Sequence, residues 1–515
     1  MSSTSATAST RHDLADLPQH TDVLIVGAGI SGIAAAYRIT ELSPTIDYRI
    51  IEAREGSGGT WDLFRYPGVR SDSDMYSLSF PFAPWTGETT ITEGGKVLDY
   101  LRETAAAHGL DERIHYGARL IEMRWSTPDL RWTLTLQSPD GSTREVTAGY
   151  VHLASGYYRY DRGYEPTFPG SEDFAGQIVH PQLWPEDLDY QGKRVVIIGS
   201  GATAVTLGPA MTDRAAHVTI LQRTPTYIYS MPGRDPIARL AGAVLSPERT
   251  AALARSASIR SQALLYKLSR TRPELAKRFI MSGMKRQLPR ETIEEHFTPP
   301  YGVWDQRLCA VPDGDLFAAI RRGRLEMVTA RIRRFVADGI ELTDGTLVPA
   351  DLIVTATGLS LQIAGGAQMV VDGEPVDLAS TFAYRGIMLS GVPNASMTVG
   401  YTNAAWTLRA DLVAQFVARV LRRLGDRGAH AAVAVAPEGM AAHPILDIAA
   451  GYVQRSVAEL PKAGDREPWL ITQDYASEKR TFAEADLDGE LLFVSERDRR
   501  ARLPKGAPAG ALPSA

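Results

Sequence analysis

Short continuous apolar runs, rather than strict alternation, set the framework of this chain. Asp22–Val26, Tyr48–Glu52, Tyr150–Gly156, Val195–Ile198, His217–Leu221 and Asp351–Gly358 each read as a short buried strand. Two of them run directly into a glycine turn and the start of a helix. The first turn is Gly27-Ala-Gly29-Ile-Ser31-Gly32, followed by an alanine-rich helix to about Glu41. The second is Gly199-Ser200-Gly201-Ala202-Thr203-Ala204-Val205. Alternation of apolar and polar positions appears at Leu120–Trp125 and Arg131–Leu136, with a Pro-Asp-Gly turn at 139–141. It predicts a small antiparallel sheet inserted in the first unit.

Helical periodicity dominates two other stretches. Residues 235–300 carry Leu264/Leu268, Leu275/Phe279 and Ile280/Met284 at i,i+4 spacing, and a further helix starts at about Trp406. The expected architecture is therefore α/β, with two Rossmann-like dinucleotide-binding domains. The strand at 351–356 is expected to rejoin the first sheet, which makes the second unit an insertion within the first. On that reading the first domain comprises residues 21–160 and 350–500, and the second spans 161–349 with a helical insertion at about 235–300. Residues 1–20 and 501–515, rich in small and polar residues, read as disordered tails.

The ends of the strands distinguish the two units. Glu52 stands 20 residues after Gly32, where a carboxylate accepts hydrogen bonds from a ribose diol. The glycines let the backbone approach a pyrophosphate seated on the helix N-terminus. In the second unit Gln222-Arg223-Thr224 replaces the acid. An acid repels a 2′-phosphate, whereas a guanidinium binds it bidentately. The first unit is thus suited to FAD or NAD and the second to NADPH. An exposed loop arginine is the plain alternative for Arg223.

Composition narrows the field. The chain has 515 residues, a net charge of -5 and a single cysteine, Cys309. That charge gives no reason to expect nucleic acid as a partner. One cysteine excludes an intrachain disulfide framework and a redox pair, and fits a reducing, cytoplasmic setting. No apolar run approaches the roughly 20 residues that span a bilayer. Between 249 and 290, however, eleven Lys and Arg stand against Glu274 alone. Two readings stay open for this segment: a helical lid with a solvated basic face, or a peripheral surface that meets anionic lipid. Oligomeric state is not legible.

Two stretches carry more specific wording. One is Phe174-x-Gly-x-x-x-His180-x-x-x-Trp184-Pro185, which leads into the second turn. The other is the loop Gly58-Gly59-Thr60-Trp61-Asp62-Leu63-Phe64-Arg65-Tyr66-Pro67-Gly68-Val69-Arg70-Ser71-Asp72, too rich in Gly, Pro and polar residues for a helix or strand interior. Together they resemble the two fingerprints of the type I Baeyer–Villiger monooxygenases, and the likeness covers roughly residues 21–495. The resemblance implies FAD held by Gly27–Gly32, Glu52, Thr60–Leu63, Arg70–Asp72 and Leu120. It implies NADPH held by Gly199–Val205, Arg223 and Thr224. It also implies insertion of one atom of O2 beside a ketone carbonyl through a flavin peroxide, giving an ester or lactone, with thioethers as side substrates. Arg307 matches the family's active-site arginine and Asp72 the acid that positions it, and no metal is implied. His180 is implied to be a linker residue coupling domain motion. The competing enzyme class is a flavin-containing sulfur or nitrogen monooxygenase without ketone activity. The competing non-enzyme is a dinucleotide-binding redox sensor.

Overall fold

The strand His20–Val26 lies at the centre of a mixed sheet in a computed structural model that describes residues 12–498 except 447, together with 503, 504, 506 and 508–510. It pairs in parallel with Tyr48–Ile51 on one side and Thr143–Leu153 on the other. Its run of apolar residues follows from burial on both faces. Val23 and Ile25 pack under helices Ile30–Leu42 and Trp406–Arg427, while Leu24 and Val26 join Leu134, Met397 and Val433 on the opposite face.

The alternating segments do not form a separate small sheet. Thr143–Leu153 is one continuous strand that pairs antiparallel with Arg131–Gln137 through residues 143–148 and parallel with Ala395–Met397 through 151–153. The antiparallel strands are therefore an extension of the main sheet. Alternation marks the part with one solvated face, and the continuous run marks the part covered on both.

The strand at 351–356 corrects the expected chain path. Leu352–Thr355 pairs with Arg194–Ile198 and Gln177–Val179, inside the second sheet. That all-parallel sheet runs Leu325–Thr329, His217–Gln222, Arg194–Ile198, Leu352–Thr355, Gln177–Val179. The second unit thus extends past residue 349. The strands that return to the first sheet are Gln368–Val371 and Ala395–Met397. A buried parallel strand looks alike in either sheet, so its sequence could not choose between them.

The N-terminal tail is shorter than expected. His12–Asp13 pairs with His115–Tyr116, Leu14 and Leu17 are buried, and Arg144 donates to the carbonyls of Leu14 and Ala15. Near the other end Leu503 is buried and the Ala509 amide donates to Ser380. Residues 1–11, 499–502, 505, 507 and 511–515 lie outside the described residues.

Four helices form the insertion: Pro236–Ala241, Pro247–Thr271, Pro273–Lys285 and Arg290–His296. Three begin with proline in the first turn, where a missing N–H costs nothing. Behind the first sheet, the fully buried Arg409 pairs with Glu478 at 2.8 Å, and Tyr401 donates to the same carboxylate at 2.9 Å. Removing one member strands the other charge out of water. Glu478→Ala should lower the unfolding free energy by about 3–5 kcal/mol in urea titrations, and a loss below about 1 kcal/mol would show that the arginine finds water or another partner.

Candidate active site between two glycine turns

The C-terminal ends of both sheets open on one cavity of about 1430 Å³. This is where a doubly wound sheet places ligands, because the connecting loops splay apart there. Each glycine turn is pressed against the end of a neighbouring strand. Gly27 has φ 108°, and a Cβ there would lie 2.8 Å from the Ala154 carbonyl oxygen. Gly199 has φ 143°, and its Cβ would lie 2.3 Å from the Ala356 oxygen. Both positions therefore require glycine on steric and dihedral grounds.

In the first unit Gly27, Gly29, Ser31 and Glu52 line the cavity. Gly32 does not; it lets the helix sit directly on the carbonyl of Gly27. The carboxylate of Glu52 already accepts the amides of Ala28 at 2.9 Å and Arg54 at 3.0 Å. Burial pushes its pKa up, and those two N–H groups oppose the rise. Each oxygen keeps a lone pair for a further donor. Leu120 forms part of the same wall.

The loop 58–72 contains one helical turn, Thr60–Leu63, which its glycine and aromatic content concealed. Thr60 and Trp61 face the cavity, but Asp62 and Leu63 do not. Asp62 is turned into ion pairs with Arg54 at 2.8 Å and Arg102 at 3.0 Å, and Leu63 is buried. Further along, Tyr66 packs into the core of the second unit, where burial pushes its phenol up to about 12. The loop therefore reaches out from the first unit and packs on the second. Arg70, ion-paired with Asp315, and Ser71 and Asp72 all line the cavity.

In the second unit Gly199–Thr203, Arg223 and Thr224 face the cavity, while Ala204 and Val205 point into the core. Ser200 donates to the Thr224 carbonyl at 3.0 Å and bonds Thr226 Oγ1 at 2.9 Å, which ties the turn to the next strand's end. Arg223 is exposed to the cavity, and Arg331, which sequence reasoning missed, lines the same wall.

Arg307 and Asp72 meet at 3.0 Å with side chains 31% and 37% exposed, one from each unit. The Asp72 charge holds the guanidinium well above its ordinary pKa, and the Tyr452, Tyr157 and Tyr158 phenols act in the same direction. The loop before Arg307 is pinned on two sides. Asp305 pairs with Arg270 of the helix Pro247–Thr271 at 3.0 Å, and its carbonyl accepts the Ala449 amide at 2.9 Å.

The tyrosines are the main site residues absent from the sequence reading. Tyr157, Tyr158 and Tyr160 follow directly after the strand Thr143–Leu153, and Tyr452 comes from the far C-terminal segment. Burial raises the pKa of the first three, that of Tyr160 to about 12. Their position just past a strand's C-terminal end was the available signal. Trp406, whose indole donates to Ser31 Oγ at 2.9 Å, had none.

His180 lies off the cavity. Its Nδ1 accepts the Gln182 amide at 3.2 Å, so Nε2 carries the proton and donates to the Gly358 carbonyl at 3.2 Å. It thereby joins the connector to the point where the chain leaves the second sheet.

A model of the family described as pyridine nucleotide-disulphide oxidoreductase matches residues 21–244. The chain is 49% identical to the FAD-containing monooxygenase EthA of Mycobacterium tuberculosis over 484 residues, covering 93% of this chain and 99% of the relative. It is 40% identical over 494 residues to a probable FAD-binding monooxygenase, AlmA, of Acinetobacter, covering 95% and 99%. Its fold matches a steroid monooxygenase bound to NADP, with a TM-score of 0.71 at 22% identity over 92% of this chain and 100% of that one. It also matches an open cyclohexanone monooxygenase, with a TM-score of 0.71 at 20% identity over 93% and 100%.

Cys309 lines the same cavity, yet burial, with the Asp72 charge adding to it, pushes its thiol up to about 12. Raising a thiol pKa depletes the reactive thiolate. At pH 8.5 its reaction with Ellman's reagent should be at least about 100-fold slower in the native protein than in guanidinium; equal rates would place the thiol in an open, polar environment.

Proposed function

The chain belongs to the FAD-containing monooxygenases, and we propose that within this family it is a Baeyer–Villiger enzyme. It is an NADPH-dependent flavoprotein monooxygenase. The proposed reaction inserts one atom of O2 beside a ketone carbonyl to give an ester or lactone, with thioethers oxidised at the same site. The observation that carries this reading is the Arg307–Asp72 pair, set in the cavity that both glycine turns share.

The residues present fit two dinucleotides. A Cβ at Gly201, which lines the cavity, would stand in open space, and the buried Ser155 hydroxyl in the cavity wall has no hydrogen-bond partner. FAD would be held by Gly27, Gly29, Ser31, Glu52, Thr60, Trp61 and Leu120, with Arg70 to Asp72 alongside. NADPH would be held by Gly199–Thr203 and Thr224, with Arg223 on the 2′-phosphate. Bound FAD, once reduced by NADPH, supplies the reduced ring with which O2 reacts.

The chain's own contribution is electrostatic and positional. Arg307 offers a permanently charged, planar fork of donors where negative charge develops on oxygen during attack on a carbonyl. Asp72 fixes its direction and keeps it charged at every working pH. Tyr157 and Tyr158, with pKa values raised by burial, stay protonated and able to donate. Tyr66 and Trp61 supply apolar wall that excludes water from the reacting groups.

Arg307→Ala should lower ester formation about 10²–10³-fold, the range lost with an oxyanion donor, while flavin absorbance per protein stays constant. Arg307→Lys should recover only part of the rate, since it restores charge without the fork. Product analysis by mass spectrometry over linear, cyclic and aryl ketones and thioethers decides the reaction class. Sulfoxide without ester would replace this reading with sulfur oxygenation, and no NADPH-dependent oxygen uptake would point to a non-enzymatic sensor. Arg223→Ala should raise the KM for NADPH by about tenfold or more while leaving that for NADH unchanged, since it removes a charge-assisted contact to the phosphate alone. An unaltered preference would move the phosphate to another cation, Arg331 first.

A further inference from the structure

The helix Pro247–Thr271 packs inward through small and polar side chains. Ala251 and Ala254 are buried beside a set of polar anchors. Arg255 donates to the carbonyls of Tyr76, Ser77 and Ser79, and Ser258 and Gln262 both donate to the buried carboxylate of Asp74. Its outward face carries Leu253 and Leu264, 11 residues apart and hence on one side, with Arg260 and Lys267 in the same stripe. The next helix, Pro273–Lys285, adds Leu275 and Phe279. Leu264 is 67% exposed and Phe279 65%. Of the 14 exposed large hydrophobic side chains among the described residues, eight lie between Ile237 and Phe279. A lid closing on the cavity would turn these side chains inward; here they face out.

Charge and apolar surface coincide. Of the eleven Lys and Arg between 249 and 290, which stand against Glu274 alone, Arg255 turns inward, Arg270 pairs with Asp305 and Arg290 with Glu294; the other eight give this face a positive charge in a chain whose net charge is -5. Exposed apolar side chains interleaved with cations mark an interaction surface, and the cations select the partner. A second copy of this face would set cation against cation. An anionic bilayer offers both complements at once: phosphate headgroups for the cations and the acyl boundary for Leu264 and Phe279. No described helix is long and apolar enough to cross a membrane, so the contact is peripheral.

We infer that the outward face of the helical insertion docks on an anionic lipid surface. The same helices are fixed to the site. Asp74 lies two residues beyond Asp72 in the loop that carries it, and Arg270 holds the loop that carries Arg307. Docking therefore places the cavity at a set height beside the bilayer, where apolar substrates concentrate. The inference concerns the surface alone and does not rest on the oxidation chemistry.

Flotation of the full-length holoprotein with phosphatidylglycerol vesicles and with pure phosphatidylcholine vesicles tests it. The protein should float with the anionic vesicles only, and less so as salt rises. Lys267→Gln or Arg260→Gln should weaken partition about fivefold each, the share of one basic side chain near an anionic surface. Leu264→Glu combined with Phe279→Glu should abolish flotation while turnover of a soluble substrate is unchanged. Absence of flotation, or flotation indifferent to the double variant, overturns the inference. So does light scattering that shows a dimer broken by the double variant with no lipid partition.

Discussion

The ion pair between Asp72 and Arg307 sets the terms for the rest of the molecule. Its two members belong to different units, the acid on the loop that follows the strand Tyr48–Ile51 and the arginine after the helical insertion. Taking such a pair partly out of water returns little net stability, so its value lies in direction. It holds a charged fork at a fixed place in a shared cavity. The surrounding structure over-determines that place. Asp305 anchors the arginine's loop to a helix and to Ala449, while Ser71 and Arg70 fix the acid's loop against Thr92 and Asp315.

Holding one pair from two units requires that the units meet in one way. The chain crosses between them twice, and the crossings run side by side: the Arg159 amide donates to Ser360 and the Tyr164 amide to Gly358. His180 adds a third bond to the Gly358 carbonyl. The glycine turns repeat the same construction on either side of these crossings. Each has a strand-end carbonyl, Ala154 or Ala356, where a Cβ would otherwise stand. Both dinucleotide cradles therefore open toward the same space.

The insertion extends the same logic outward. Its long helix turns Arg255, Ser258 and Gln262 to the loop beside Asp72, which leaves Leu253, Leu264, Arg260 and Lys267 on the outward face. The i,i+4 apolar pairs seen in the sequence are real helical stripes, yet only some face inward: Ile280 and Met284 are buried, whereas Leu264, Leu275 and Phe279 are exposed. Periodicity states that a stripe exists and is silent on what covers it.

The amino-acid sequence by itself determined the two strand–turn–helix units, since glycines at fixed spacing, a preceding apolar run and a strand-end acid or arginine are local features with local causes. It also singled out the loop to Asp72 and the arginine at 307 through their resemblance to a known family. Only the tertiary structure decided the rest. Leu352–Thr355 went to the second sheet because a strand buried on both faces carries no mark of its neighbours. Asp62 turned from the cavity because Arg54 and Arg102, distant in sequence from one another, converge on it. Tyr452 and Trp406 entered the site from the far end of the chain, where no spacing rule reaches. Local chemistry is written along the chain, whereas a cavity wall is assembled from segments that meet only when the sheets close.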